Sequence, residues 1–141
     1  MTYFPLFHNV QQLKALLIGG GKVAKRRAKS LIAAGVNCDL VATVVSEELT
    51  LLVQSNGGTV TIGGYTSDQV MLGYNLILAL TNDRTINHQI ATDAKAMGLL
   101  VNVVDVSDDG NVIFGAVIDR APLTIAINNG GASPVLSSIL R

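Results

Sequence analysis

Tryptophan is absent from the 141-residue chain, aromatic residues amount to 4%, and there is one cysteine, Cys38. A core without large rings must be built from Val, Ile, Leu and Ala. A single thiol allows neither an internal disulfide nor a cysteine zinc site. An excess of either charge is missing too: Lys+Arg and Asp+Glu stand at 10 each. That balance, with a pI near 6.7, speaks against a nucleic-acid binder or a polybasic membrane anchor. No apolar run reaches the ~18 residues of a membrane-spanning helix. The opening Met1-Thr2-Tyr3-Phe4-Pro5 lacks the basic start and long apolar stretch of a secretion signal, so a cytoplasmic protein is expected. Charged residues are scarce, at 14% against 49% hydrophobic, which excludes intrinsic disorder. The length suits one domain, because two would each fall near the lower size limit.

What is present alternates between two periods. Leu13 to Ile18 is an apolar run that stops at Gly19-Gly20-Gly21, as expected of a strand buried on both faces. From Lys22 to Ala34 the spacing turns helical, with Val23, Ala24, Ala28, Leu31 and Ile32 on one face and Gly35 as the terminator. Val36 to Val45 reads as a second strand. Ser46-Glu47-Glu48 opens a helix to about Ser55. Thr59 to Ile62 and Leu76 to Leu80 read as further strands. Thr81 or Asp83 caps a helix from Arg84 to Ala96, and Leu99 to Val104 is the fifth strand. Beyond Asp105 the pattern changes to two strands, 111–118 and 123–127, joined by Asp119-Arg120-Ala121-Pro122 as an antiparallel hairpin. Ser133-Pro134 then starts a helix. The expected fold is α/β: a doubly wound, Rossmann-like, mainly parallel sheet with a C-terminal antiparallel hairpin addition.

Gly19-Gly20-Gly21-Lys22-Val23-Ala24 fits G-x-G-x-x-A between a strand and a helix. A dinucleotide pyrophosphate needs close backbone approach, and the free N–H groups and helix dipole receive its charge. The plain alternative is a tight turn with no ligand. Many such folds hold the ribose with an acid at the end of strand two. Here Asp39 comes several residues too early and the end reads Val41-Ala42-Thr43-Val44-Val45-Ser46. Thr43 can hydrogen-bond the ribose, and NAD is favoured over NADP. Lys22 faces the phosphate site, whereas Lys25, Arg26, Arg27 and Lys29 read as a solvated helix face. Thr81 follows strand four at the switch point, where it either caps a helix or lines the cleft. Asp105 ends strand five on the same edge, where a carboxylate can serve as general base or begin a turn. His8 and His88 read as surface or packing residues, and Cys38 as inert core.

In order, these segments resemble one family. They are Tyr3-Phe4-Pro5-Leu6-Phe7, the stretch Leu17 to Arg27, Ala79-Leu80-Thr81-Asn82-Asp83 with Asn87, Asn102-Val103-Val104-Asp105, Ile118-Asp119-Arg120 and Gly130-Gly131-Ala132-Ser133-Pro134-Val135-Leu136. The chain is similar throughout to the N-terminal domain of siroheme synthase, the precorrin-2 dehydrogenase/sirohydrochlorin ferrochelatase family. The resemblance implies NAD-dependent oxidation of precorrin-2 to sirohydrochlorin, and in many members insertion of ferrous iron. It implies cofactor contacts at Gly19, Gly20, Gly21, Lys22, Val23, Thr43, Val44 and Thr81, and Asp105 as the catalytic acid–base group. It implies tetrapyrrole contacts at Asn102, Gly130, Gly131 and Ser133, no metal ligands, and a homodimer. Two departures stand out: relatives commonly carry prolines where this chain has Ser107 and Gly115. Members also continue into a helical region that completes the dimer, so this chain reads as a fragment or as a short variant. The rival readings are a non-catalytic NAD-sensing regulatory domain, as in potassium transport systems, and a degenerate relative that binds tetrapyrrole without turnover.

Overall fold

The computed structural model describes residues 2–128. Five parallel strands form one sheet: β1 (Lys14–Ile18), β2 (Asn37–Ala42), β3 (Val60–Ile62), β4 (Leu76–Ala79) and β5 (Leu100–Val103), in the order β3-β2-β1-β4-β5. Helices α1 (Lys22–Ala33), α2 (Glu47–Ser55) and α3 (Arg84–Ala96) connect them. The chain moves outward from β1 through β2 to β3, then returns to the other side of β1 for β4 and β5. The switch point therefore lies between β1 and β4.

Strand β1 is buried on both faces, and its alternation divides the core in two. Ala15 and Leu17 join Ala24, Ala28, Leu49 and Val53 under α1 and α2. Leu16 and Ile18 join Ile90, Ala91 and Ala94 under α3. Ala24 and Ala28, four residues apart and fully buried, let α1 lie close on the sheet. The caps read from the sequence are present. Ser46 Oγ accepts from Leu49 N at 3.1 Å, and Asp83 Oδ1 accepts from Thr85 N and Ile86 N at 2.9 and 3.3 Å.

Three local expectations shift. Strand two stops at Ala42 rather than Val45, because β1 and β3 both end level with it. The last ladder bonds are Gly19 N to Val41 O (2.8 Å) and Gly63 N to Ala42 O (2.9 Å). Between β3 and β4 there is only a 3₁₀ turn, Ser67–Met71, bracketed by Thr66 and Gln69, with Val70 plugged against the sheet. The hairpin strands are β6 (Ala116–Arg120) and β7 (Leu123–Ile127), paired antiparallel as a two-stranded sheet of their own. Their turn is only Ala121-Pro122, with a cis peptide bond. β6 begins late because Asn111 is occupied elsewhere. Its Oδ1 accepts from Val101 N (2.7 Å), its Nδ2 donates to Leu99 O (2.9 Å), and its own N–H reaches Val101 O. Asn111 thus pairs with the outer edge of β5, which would otherwise stand open. No helix among the described residues is long and apolar enough to cross a membrane.

Candidate functional site

The parallel register puts every strand end on one rim. Ile18 pairs with Val41 and with Ala79, and Ala79 pairs with Val103. The next residues, Gly19-Gly20-Gly21, Thr43-Val44, Leu80-Thr81 and Val104-Asp105, therefore line the same edge. β5 is two strand spacings from β1, about 10 Å. The glycine turn and Asp105 thus flank the switch point rather than opposite ends of the sheet.

The three glycines answer to different demands. Gly19 has φ +133°, and a Cβ there would lie 2.5 Å from Leu80 O. A Cβ on Gly20 would lie 2.0 Å from Val44 O and 2.9 Å from Ala42 Cβ. Both are required by the protein's own packing: the loops after β2 and β4 close on the turn from either side. Gly21 is different. It is the N-cap of α1 at φ −89°, ψ −161°, a conformation open to other residues. A Cβ there would meet nothing within 4 Å among the described residues. Its bareness serves the space outside the chain, directly before the free N–H groups of a twelve-residue helix. The donor set fits a pyrophosphate, and Ala24 at 0% exposure supplies the close helix–strand contact.

The other expected cofactor residues distribute around that turn. Lys22 is exposed and Val23 half-buried in the first turn of α1, and Thr43 and Val44 are exposed beyond β2. Thr81 is half-buried, and its hydroxyl donates to Asn87 Oδ1 (2.6 Å) and accepts from Asp83 N–H (3.2 Å). Asn87 is 2% exposed and also takes the Thr81 N–H (3.1 Å) while donating to Thr81 O (3.0 Å). Thr81 is thus locked to α3. Asp39 is tied down away from the rim, accepting from Thr59 N (2.8 Å) and Tyr74 Oη (2.7 Å). Desolvation, then the Asp39 carboxylate, push the Tyr74 phenol well above its ordinary range.

Asp105 is exposed, and its carboxylate makes no hydrogen bond or ion pair among the described residues. It opens onto a cavity of about 320 Å³ that also touches Arg84, Asn87, His88, Val103 and Asp109. His88 Nδ1 lies 3.3 Å from Asp109 Oδ2. The sequence reads His88 as a surface or packing residue, and it is exposed here. No spacing rule links residues 21 apart, and only the fold of the 3₁₀ turn Ser107–Asp109 against α3 brings them to the Asp105 cavity. Asn102 is 7% exposed and donates to Val112 O (3.0 Å), so its amide braces the segment after β5. Gly130, Gly131 and Ser133, with the helix expected after them, lie outside the described residues. No group of three or more His, Cys, Asp or Glu among the described residues could hold a metal ion.

The basic face of α1 is more engaged than its pattern suggests. Lys25 Nζ is 2.5 Å from Glu48 Oε2, and Lys29 Nζ is 3.6 Å from Glu48 Oε1. Arg27 stacks on Phe114 at 4.8 Å, and burial, then Arg26, lower its pKa. Gly115 lets the chain pass Ile127 O, which a Cβ would approach to 2.5 Å. Cys38 is 3% exposed. Burial, with Asp39 beside it, pushes its thiol up to about 12, which makes it inert.

Comparison with known proteins bears on the family and the fold. A family model described as putative NAD(P)-binding matches residues 6–116. Over 141 residues the chain is 42% identical to siroheme synthase of Pseudomonas entomophila (strain L48) and 40% identical to that of Pseudomonas putida (strain W619). In both cases the match takes in all of this chain and 30% of the relative, so the chain spans less than a third of those proteins. Among solved structures, a SirC precorrin-2 dehydrogenase superposes with a TM-score of 0.76 at 27% identity, covering 98% of this chain and 67% of that one.

Proposed function

The chain belongs to the putative NAD(P)-binding family, alongside the N-terminal domain of siroheme synthase, and from that membership we propose that it oxidises precorrin-2 to sirohydrochlorin with NAD. The observation that carries the proposal is the shared rim: Gly21, open among the described residues, before a helix N-terminus, and two strands away the carboxylate of Asp105, which has no partner among the described residues.

Gly19, Gly20, Gly21, Lys22 and Val23 would hold the pyrophosphate, with the first-turn N–H groups of α1 as donors. Thr43 and Val44 would meet the adenosine end, and Thr81 the segment between. NAD supplies the hydride acceptor. The oxidation removes one hydride and one proton from the macrocycle, and Asp105 takes the proton. An exposed carboxylate without a competing hydrogen bond is free to accept it. Val103 and Asn102, packed into β5, hold the backbone under Asp105 in place. In this reading Gly130, Gly131 and Ser133 contact the carboxylate arms of the tetrapyrrole.

A second copy of the chain is part of the proposal. On β6-β7, Leu123 and Ile125 are 58% and 39% exposed on the same face, and a lone two-stranded sheet is marginal in water. A partner covering this face would stabilise the hairpin.

The test is anaerobic incubation of the chain with precorrin-2 and NAD. Absorbance from NADH, one equivalent per sirohydrochlorin, is the expected result. Tight NAD binding with no turnover would reject the dehydrogenase reading in favour of a binding module. Ferrous iron added afterwards reports whether the same chain also metallates the product.

A further inference from the structure

The geometry points to Glu48 as the residue that sets the preference for NAD over NADP, by holding Lys25 and Lys29 in ion pairs beside the ribose end of the cleft. The inference deepens the dinucleotide reading above and rests on it. Folds of this kind usually discriminate the two cofactors at the end of the second strand, with an acid on the ribose hydroxyls or a cation on the 2′-phosphate. That end here is Ala42-Thr43-Val44-Val45-Ser46, with neither acid nor cation. The charge comes from the flanking helices instead.

The first three turns of α1 carry Lys22, Lys25, Arg26, Arg27 and Lys29, of which Arg27 lies over Phe114. Left alone, this would be a cationic wall suited to a 2′-phosphate. Glu48 meets it from the first turn of α2, with one carboxylate oxygen on Lys25 at 2.5 Å and the other on Lys29 at 3.6 Å. Its place is fixed by the backbone. Ser46 caps α2, and the loop leading there presses Val44 O onto Gly20, leaving no room for a Cβ. Glu48 follows Val44 by four residues, so the acid that pairs these lysines is carried on the helix that leaves the Thr43-Val44 segment, where the adenosine ribose would lie. The hydrogen bond from Lys25 holds the Glu48 carboxyl below its ordinary range, so it is ionised at any working pH. Exposed Glu47 adds negative charge at the same helix end. A 2′-phosphate arriving there meets Lys25 and Lys29 already paired and a carboxylate that repels it, whereas a ribose hydroxyl meets no penalty. An exposed ion pair adds little to stability, but a phosphate is far more sensitive to local charge than a hydroxyl is.

The test is calorimetric titration of the chain, Glu48→Gln and Glu48→Gln/Lys25→Gln, each with NAD and with NADP. Wild type should prefer NAD. Releasing two lysines and removing one carboxylate should raise the affinity for NADP relative to NAD by about tenfold in low salt. The double substitution should return most of that gain, and about 0.5 M salt should suppress it by screening. An unchanged NADP-to-NAD ratio in Glu48→Gln, or a wild type that prefers NADP, overturns the assignment while leaving the glycine turn as a dinucleotide site. Failure of wild type to bind either nucleotide overturns the dinucleotide reading, and this inference with it.

Discussion

Alanine at Gly20 and at Gly21 should separate folding from binding. At Gly20 the added methyl carbon would lie 2.0 Å from Val44 O and 2.9 Å from Ala42 Cβ. The first neighbour is backbone, so relief requires the 43–45 loop or the turn itself to move. Overpacking of this kind costs about 3 kcal/mol, the upper part of the usual range. For a chain of this size that lowers the melting temperature by about 10 °C. At Gly21 no described residue lies within 4 Å and φ is −89°, so Gly21→Ala should melt within about 2 °C of wild type. Its methyl group would instead occupy the approach of the pyrophosphate. An intrusion worth about 1–3 kcal/mol converts to a loss of NAD affinity of about 5- to 150-fold. Thermal melts and calorimetric titration with NAD give both numbers on the same samples. A Gly21→Ala protein that binds NAD as wild type does would refute the idea that this glycine is bare for a ligand's sake.

Other perturbations follow from the same packing. Asn111→Ala leaves the Val101 N–H without its side-chain acceptor and should cost about 1–3 kcal/mol in denaturant unfolding; an unchanged midpoint would mean that water replaces the amide. Asp93 accepts from Tyr65 Oη, Ser67 Oγ and Gln89 Nε2. Burial opposes its ionised form, but these bonds prevail and hold its pKa below the ordinary value. Its contribution to stability is therefore full above the usual carboxylate range and is lost as pH falls through the depressed value, so Asp93→Asn should lose most stability near neutrality and least in acid. A pH series of melts that shows the same loss throughout would contradict this. Replacing Leu123 and Ile125 together by Glu should leave a monomer in sedimentation if a second copy covers the hairpin; an unaltered oligomeric state would place any interface elsewhere.

Much of the fold was legible because parallel strands buried on both faces write themselves as short apolar runs with glycine stops. β1, α1, α2 and α3 lie within a residue or two of their expected bounds, since Ser46 and Asp83 are caps with a definite chemistry. The misplaced boundaries share a cause. Pattern reading fails where an apolar run outlasts its partners: Val44 and Val45 are as suited to a strand as Val41, but no neighbouring strand extends that far. Residues 111–115 look like strand for the same reason, and Asn111 diverts them to the edge of β5. The rim of the site was legible through topology, because a switch point fixes which strand ends converge. What could not be read were contacts between side chains distant along the chain: His88 with Asp109, and Glu48 with two lysines of another helix. Each depends on how elements pack, which no local pattern records.

The central claim is that Asp105 takes the proton in a cleft whose dinucleotide site lies elsewhere on the same rim. It is tested most directly by Asp105→Asn, an isosteric change at an exposed position, followed through both NAD titration and anaerobic NADH formation from precorrin-2. NAD affinity should stay within about twofold of wild type, and turnover should fall by at least about 100-fold, the scale of a lost acid–base group. Turnover at the wild-type rate would contradict the claim.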